Sequence, residues 1–288
     1  MLLEVIGKNN FLESFTIKSP CKVNLGLKIL NQRLDGYHNI LSIFIQLNLC
    51  DILEFYPAKN LSINFSNPDI SNKFNTVSSA VEIISSYCNV DITNNIYVKK
   101  NIPIGGGLGG GSSNAAYTMI ALNKLYELNL SNAVLEKLAS KIGADVPFFI
   151  NGGIKEISKK GDAIKDINYA VLQNKFFVLI MPNFSISTKW AYNKVKKHLH
   201  AQRNHHKFPP LEDKVDWALF ENDFEHIVCL TYPEILSIKD ILYSEGALYS
   251  GLSGSGSTMF GIYNDIEEAE KAIHSIKEYH TYIASPLI

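Results

Sequence analysis

This sequence has no apolar stretch long enough to cross a membrane. Its longest uninterrupted apolar run, 176–181, has six residues, whereas a membrane-spanning helix needs about 20. The first residues, Met-Leu-Leu-Glu, lack the basic segment of a secretory signal peptide. The four cysteines are scattered without a Cys-x-x-Cys pair, so neither a disulfide framework nor a zinc site is indicated. We therefore expect a cytoplasmic protein with reduced thiols and no membrane partner.

Acidic residues are missing from one long segment. The net charge is only −1, but no Asp or Glu lies between Ile167 and Leu211, where seven lysines and arginines occur. Such a basic segment is either a solvated loop or a surface that faces an anionic ligand. We expect no nucleic-acid partner, because the segment has no known reader motif.

Glycine, in contrast, is concentrated in one loop. Six of the 18 glycines lie within the seven positions from Gly105 to Gly111, and such density is expected where the backbone needs unusual dihedral angles or approaches another group closely. Apolar alternation predicts a strand over 94–100, and helical spacing predicts a helix over 114–126. A glycine loop between a strand and a helix N-terminus is suited to bind a phosphate.

Two familiar phosphate loops do not fit this stretch. A Walker A loop requires a lysine at the helix start, but Gly111 is followed by Ser112 and Ser113. A dinucleotide-binding fold requires a second strand that ends in an acidic residue about 20 positions later, whereas a second helix is predicted here, capped by Ser131 and ended by Gly143. A flexible linker is the remaining alternative, but linkers seldom separate a periodic strand from a periodic helix. The loop is therefore interpreted as a nucleotide-phosphate loop of a third kind.

Strands and helices are mixed along the rest of the chain, without an internal repeat. Further strands are predicted over 13–18, 22–29, 39–55 (one strand or two), 176–181, 258–263 and 282–284, with a short strand at the end of 143–150. Further helices are predicted over 76–87, 212–220, 234–244 and 267–279. This order predicts an α+β fold with helices on one face of a mostly antiparallel sheet. The polar stretch 155–166 is the candidate boundary between two domains, 1–160 and 161–288.

Four motifs resemble those of the GHMP kinases, a superfamily of small-molecule kinases. They are Pro20-Cys21-Lys22-Val23-Asn24-Leu25, Asp35-Gly36-Tyr37-His38, the loop from Pro103 to Asn114, and Gly143-Ala144-Asp145-Val146-Pro147. With a second glycine turn over 250–256 they span nearly the whole chain. The sequence departs from the family pattern at Cys21, where alanine is common, and at Ser257, where proline is frequent. The resemblance implies a ribosomal-protein-S5-like N-terminal domain that binds ATP and a ferredoxin-like C-terminal domain that binds the substrate.

The resemblance also implies a reaction. The motifs Asp-Gly-Tyr-His and Gly-Ala-Asp-Val-Pro narrow the resemblance to one group of these kinases. That group phosphorylates a hydroxyl of a cytidine diphosphate conjugate of methylerythritol, in the non-mevalonate route to isoprenoid precursors. Asp145 would accept the hydroxyl proton, and Lys22 would hold the nucleophilic oxygen or stabilise the Asp145 carboxylate. Taken without the resemblance, Asp145 would be a turn or capping residue and Lys22 a surface lysine at a strand end. The residues implied to bind ATP are Pro103, Ile104, Gly105, Gly106, Gly107, Leu108, Gly109, Gly110, Gly111, Ser112 and Ser113.

The substrate contacts come from the same resemblance. The implied residues are Asn24, Tyr37, His38, Tyr192, Gly254, Ser255 and Gly256. Tyr37 would stack on the cytosine and His38 would hydrogen-bond its edge, although a histidine in this place is otherwise read as a turn residue. Tyr192 is the candidate for the second aromatic residue beside the base, with Trp190 and Phe184 as alternatives.

Magnesium is expected to arrive with ATP. Ser112 or Ser113 could contact it, but the sequence identifies no acidic ligand. The expected partner is the small-molecule substrate, and the protein is expected to be a monomer or a weak homodimer. Two alternatives are a GHMP kinase for another alcohol, against which Asp-Gly-Tyr-His argues, and a nucleotide-binding sensor without catalysis, against which Asp145 and Lys22 argue.

Overall fold

A computed structural model describes residues 14–34, 36, 38–195, 207–212 and 214–288. Within these residues the chain forms ten strands and eight α-helices. The strands are β1 (Phe15–Gln32), β2 (His38–Pro57), β3 (Ser62–Phe65), β4 (Asn94–Lys99), β5 (Ile154–Lys159), β6 (Ala163–Asp166), β7 (Phe176–Met181), β8 (Tyr249–Leu252), β9 (Met259–Tyr263) and β10 (His280–Ala284). The helices are α1 (Thr76–Cys88), α2 (Gly110–Leu125), α3 (Asn132–Ala139), α4 (Phe148–Asn151), α5 (Thr188–Val195), α6 (Glu225–Thr231), α7 (Pro233–Ser244) and α8 (Ile266–Ser275).

The chain divides into two compact units that interleave along the sequence. The first comprises Met1–Cys21, Leu49–Ile102 and Gly109–Gly152, and the second comprises Lys22–Asn48, Pro103–Leu108 and Gly153–Ile288. Strands β1 and β2 each contribute residues to both units. This division differs from the two successive domains expected over 1–160 and 161–288, which remain a prediction.

In the first unit, the second half of β2 pairs antiparallel with β4, and β4 pairs parallel with β3. Helix α1 begins with a capping box in which Asn75 and Ser78 exchange hydrogen bonds, and this arrangement satisfies two backbone donors of the first turn. Val77, Val81 and Ile84 lie on the buried face of α1, which packs against α2. The 3.6-residue period of these apolar residues explains why this helix was predictable from the sequence.

In the second unit, four antiparallel strands follow the order β10-β7-β9-β8. Val178 and Ile180 point to the same face of β7, and together with residues of α7 and α8 they form a buried cluster. Elsewhere in this unit the first half of β2 pairs with β5, and β5 pairs with β6. The predicted α+β class, with helices on one face of an antiparallel sheet, is confirmed.

Several predicted elements are corrected by the structure. The strands expected over 13–18 and 22–29 are parts of the single strand β1, as far as the described residues extend. The short strand expected in 143–150 is wrong, because Phe148–Asn151 is a one-turn helix whose C-cap, Gly152, donates its backbone N–H to Phe148 O. The polar stretch 155–166 forms the β5-β6 hairpin. Most of the helix expected over 212–220 is absent from the described residues there, which contain only a short 3₁₀ helix at Trp217–Leu219.

None of the helices in the described part of the chain has both the length and the apolar character of a membrane-spanning segment. All four cysteines lie within the described residues, and none of them forms a disulfide.

Candidate active site

The glycine cluster lies in the loop between β4 and α2. Helix α2 begins at Gly110, four residues earlier than the sequence predicted. Its N-cap residue is Gly109, with φ +69°, and no side chain of the described residues caps the helix. Backbone N–H groups in the first turn of a helix lack intrahelical acceptors, and the helix dipole adds partial positive charge there. This end of α2 therefore favours an anion such as a phosphate.

Gly107 lies where the loop touches the second glycine turn (residues 250–256). The Ser253 hydroxyl donates to Gly107 O at 3.0 Å, and the Thr258 backbone N–H donates to Gly106 O at 3.1 Å. Gly107 has φ +78°, and a Cβ atom in this position would lie 2.1 Å from Ser253 O. The position thus requires glycine both for its backbone conformation and for space.

The two serines that follow the glycines have different surroundings. Ser113 is fully buried, and its hydroxyl is hydrogen-bonded to the Ser19 hydroxyl at 2.7 Å. Ser112 is half-buried in the first turn of α2. Of the two, Ser112 is therefore better placed to contact a bound ligand.

A buried carboxylate anchors the first part of the loop, and sequence reasoning missed it. Asp51 is fully buried and accepts hydrogen bonds from the backbone N–H groups of Asn101 and Ile102 at 2.7 and 2.8 Å. It also accepts a hydrogen bond from Asn114 Nδ2 at 2.9 Å and forms an ion pair with Lys100. The only signal in the sequence was an acidic residue between the apolar pairs Leu49-Cys50 and Ile52-Leu53. The carboxylate thereby joins β2, the chain after β4 and α2 within the first unit.

Lys22 belongs to a buried polar cluster in the second unit. Lys22 and Asn24 are two residues apart on β1 and share one face of the strand, and Lys22 Nζ donates to Asn24 Oδ1 at 2.5 Å. Asn24 Nδ2 donates to Ser42 Oγ, which in turn donates to Gly26 O. The Lys22 ammonium also lies 4.5 Å from the centroid of the Phe44 ring. A cation held in this way by a polar side chain and an aromatic face is suited to stabilise an anionic oxygen.

Asp145 lies in the turn between α3 and α4 and is half-buried. The Val146 backbone N–H donates to Gly143 O at 3.3 Å and closes the turn. Val146 and Phe148 are buried, so they anchor the segment that carries the carboxylate. A residue on an anchored turn can hold a reactive group in a defined place.

His38 and Tyr192, which the sequence proposed as base-binding residues, come together in the second unit. Their rings are stacked with centroids 5.2 Å apart and planes inclined by 19°. The Tyr192 ring also meets the Phe224 ring edge-on at 4.9 Å. The two alternatives to Tyr192 lie elsewhere in this unit: Phe184 stacks on Tyr232, and Trp190 contacts the same ring edge-on. Tyr37, the other predicted base contact, lies outside the described residues.

The second glycine turn is linked to the helix that carries Tyr192. The hydroxyls of Thr188 and Ser255 are hydrogen-bonded at 3.0 Å, and Thr188 is the first residue of α5. On the other side of this turn, a Cβ atom on Gly254 would lie 3.3 Å from Asn24 Oδ1. The structure therefore brings Asn24, Gly254, Ser255 and Gly107 into one neighbourhood of the second unit.

The described residues contain no group of three or more His, Cys, Asp or Glu side chains that could hold a metal ion. Mg²⁺ in nucleotide sites usually keeps several waters and is bound mainly by phosphates. Ser112, half-buried at the start of α2, has a hydroxyl oxygen, which is the ligand type that Mg²⁺ prefers.

Comparison with known proteins identifies the class. The family model of the GHMP kinases N terminal domain matches residues 75–153, and that of the GHMP kinases C terminal matches residues 215–281. The chain therefore belongs to the GHMP kinases and is a small-molecule kinase. GHMP kinases use ATP as the phosphate donor.

Individual relatives within this class have more specific names than the class itself. The chain is 39% identical over 262 residues to 4-diphosphocytidyl-2-C-methyl-D-erythritol kinase of Syntrophus aciditrophicus, covering 89% of this chain and 92% of the relative. It is 34% identical to the protein of the same name from Thermodesulfovibrio yellowstonii, covering 95% and 98% of the two chains. A crystal structure of 4-(cytidine 5'-diphospho)-2C-methyl-D-erythritol kinase superposes with a TM-score of 0.77 at 26% identity, covering 94% of this chain and 99% of the other. Homoserine kinase from Cytophaga hutchinsonii shares the fold, with a TM-score of 0.72 at 16% identity.

Proposed function

We propose that this protein transfers the γ-phosphoryl group of ATP to a hydroxyl of 4-diphosphocytidyl-2-C-methyl-D-erythritol, in the methylerythritol phosphate route to isoprenoid precursors. The observation that carries the proposal is the 39% identity to a relative of that name along nearly the whole of both chains. In this reaction a bond forms between the substrate oxygen and the γ-phosphorus, the bond to the β-phosphate oxygen breaks, and ADP leaves. The hydroxyl proton must pass to a base.

Asp145 is proposed to accept that proton, and Lys22 to stabilise the oxygen as negative charge develops on it. A carboxylate on a turn anchored by Val146 and Phe148 meets the need for a fixed general base. Lys22 is only 3% exposed, and a buried ammonium interacts with a developing charge more strongly than a solvated one would. Residues 103–113 are proposed to hold the ATP phosphates, and Ser112 to contact the Mg²⁺ that accompanies them.

His38 and Tyr192 are proposed to recognise the cytosine. Ring nitrogens form hydrogen bonds in the plane of the imidazole ring, so a base paired edge to edge with His38 would be nearly coplanar with it. Because the His38 and Tyr192 rings are inclined by only 19°, the same base would lie almost parallel to the Tyr192 ring, in the orientation that stacking requires. Tyr37 is proposed as a further stacking residue, and Asn24, Gly254, Ser255 and Gly256 as further substrate contacts.

We also propose a cytoplasmic location and a low oligomeric state. The thiols of Cys50 and Cys229 have pKa values raised to about 11, mainly by burial, which is compatible with a cytoplasmic enzyme that keeps its cysteines reduced. We also propose a monomer or a weak homodimer, which sedimentation at several protein concentrations would test.

The substrate is tested by incubating the protein with ATP, Mg²⁺ and a panel of alcohols, followed by mass spectrometry of the products. The panel contains the cytidine diphosphate conjugate, free methylerythritol, mevalonate and homoserine. We expect a gain of one phosphoryl group on the conjugate. Phosphorylation of mevalonate or homoserine in preference to the conjugate would reject the proposed substrate while leaving the kinase class intact.

Base recognition is tested by His38→Ala and Tyr192→Ala. Each change should raise the KM for the conjugate by about 5- to 150-fold, which corresponds to the 1–3 kcal/mol lost when a buried polar partner is left unpaired or a stacked base loses its aromatic residue. The KM for ATP should hardly change. Trp190→Ala is the matched control, because Trp190 contacts Tyr232. A rise in the KM for ATP alone would show that these rings do not bind the cytosine.

A further inference from the structure

Asn222 is a buried residue that has no role in the proposed binding of substrate or ATP or in the proposed proton transfer. It is 6% exposed and lies just before helix α6. Its amide nitrogen donates to Leu252 O and to Gly254 O, both at 2.8 Å. Its amide oxygen accepts a hydrogen bond from the Phe224 backbone N–H at 2.9 Å. Both amide protons and the oxygen are therefore engaged, which only a carboxamide can achieve in this place.

The same residue is tied to strand β1. The backbone around Asn222 forms a parallel bridge with Leu27, in which the Leu27 N–H donates to Glu221 O at 2.9 Å and the Asp223 N–H donates to Leu27 O at 2.8 Å. Asp223 Oδ2 also accepts a hydrogen bond from the Ile29 backbone N–H at 2.7 Å. Asn222 thus joins the second glycine turn to β1, the strand that carries Lys22 and Asn24.

The second glycine turn in turn supports the first glycine loop. Ser253 lies between the two carbonyl groups that Asn222 holds, and its hydroxyl donates to Gly107 O. Ser253 O lies so close to Gly107 that no Cβ atom fits between them. This hydrogen bond and this close approach couple the position of the turn to that of the Gly107 peptide.

We infer that Asn222 is a positioning residue of this kinase, which acts through the second glycine turn to hold the Gly106–Gly107 peptide where ATP phosphates bind. The inference rests on the proposed role of residues 103–113 in ATP binding. Asn222 itself is not proposed to touch either substrate. Its loss should therefore change the KM for ATP and kcat, which are sensitive to misplacement of reacting groups by about an ångström.

The test is the variant Asn222→Asp. The new carboxylate can still accept a hydrogen bond from Phe224 N–H, so the start of α6 keeps its support. However, it has no proton for Leu252 O and Gly254 O and repels both oxygens. Asn264→Asp is the matched control, because this substitution introduces the same charge at an exposed residue of the same unit. We expect kcat/KM for ATP to fall by about 10- to 100-fold in Asn222→Asp and to stay within twofold in the control.

Stability is separated from positioning by measuring at 25 °C, well below the unfolding midpoint of each variant, with kcat and the two KM values determined independently. A merely structural role would lower the midpoint and leave all three parameters within twofold, and that result would overturn the inference. If Asn222→Asp does not fold, Ser253→Ala decides, because it removes only the hydroxyl that reaches Gly107. An unchanged KM for ATP in a folded Ser253→Ala variant would then reject the inference.

The proposed loop is tested separately by calorimetric titration of ATP into Gly107→Ala. If this variant binds ATP as tightly as the original protein, the assignment of the loop is wrong. If Gly107→Ala loses affinity while Asn222→Asp and Ser253→Ala retain their kinetic parameters, only the role of Asn222 is wrong.

Discussion

Replacing Asp51 with alanine should strongly destabilise the first unit. The carboxylate is fully buried and pairs with the Lys100 ammonium, whose side chain is 8% exposed. It also accepts hydrogen bonds from Asn101 N, Ile102 N and Asn114 Nδ2. Removing it therefore strands one buried positive charge and several donors at once.

The magnitude follows from these contacts. Loss of one partner of a buried ion pair costs about 3–5 kcal/mol, and each buried donor left unpaired costs about 1–3 kcal/mol more. Lys100 keeps a hydrogen bond to Asn114 Oδ1 at 3.1 Å, and water entering the vacated space offsets part of the loss. We therefore expect the free energy of unfolding to fall by about 4 kcal/mol or more, which lowers the unfolding midpoint by about 8–16 °C for a chain of this size.

Thermal unfolding followed by circular dichroism measures this shift. Asp166→Ala is the control, because Asp166 pairs with Lys155 but has an 88% exposed side chain and should hardly change the midpoint. Lys100→Met added to Asp51→Asn should recover part of the stability that Asp51→Asn loses, because it removes the unpaired charge. A loss below about 1 kcal/mol in Asp51→Ala would refute this account of the buried pair.

Three further predictions concern the site and the thiols. Asp145→Asn should lower kcat by at least about 10²-fold without weakening ATP binding, as measured by steady-state kinetics and titration, since it removes a general base; near-normal turnover would exclude that role. Gly107→Ala should weaken ATP binding more than tenfold in a titration, because its Cβ atom would collide with Ser253 O. Gly153→Ala is the control: Gly153 has the same φ of +78° but open space around it, so this variant should retain the affinity for ATP. Burial raises the pKa of the Cys50 thiol from 9.0 to about 11. Its labelling by a disulfide reagent should therefore be slower than that of glutathione at pH 7.5, and the rate should increase about tenfold per pH unit up to that pKa. A labelling rate equal to that of glutathione would contradict the raised pKa.

Elements whose own residues determine their structure were predictable from the sequence. Helix α1 has a capping residue and a regular apolar face, and β7 is a continuous apolar run that matches its predicted bounds. Errors arose where local patterns are ambiguous. The apolar triplet Phe148-Phe149-Ile150 suits a strand, but the backbone of Gly152, with φ +62°, closes it as a helical turn. In β5, polar residues lie between Ile154 and Ile157, so the strand resembled a polar linker.

The residues of the candidate site also divide into those that the sequence indicated and those that it did not. Lys22 and Asp145 were proposed because motifs of a known family contain them, and the glycine loop because its glycines lie between a predicted strand and a predicted helix. Their roles stay predictions. Asp51 and Asn222 were missed, since the partners that define them lie far away in the chain: Asn114 is 63 residues from Asp51, and Gly254 is 32 residues from Asn222. No period or local spacing records such a contact, so only the fold can reveal it.

The interleaving of the two units limits how this protein can be divided. The boundaries at residues 21, 48, 102, 108 and 152 mean that the backbone passes from one unit to the other five times. A single cut or truncation therefore cannot release either unit with all of its segments. A chimera with a relative would have to exchange three separate stretches, including the six residues Pro103–Leu108, to replace one unit completely. Either unit can therefore be exchanged or removed only by changing the chain at several of these boundaries at once.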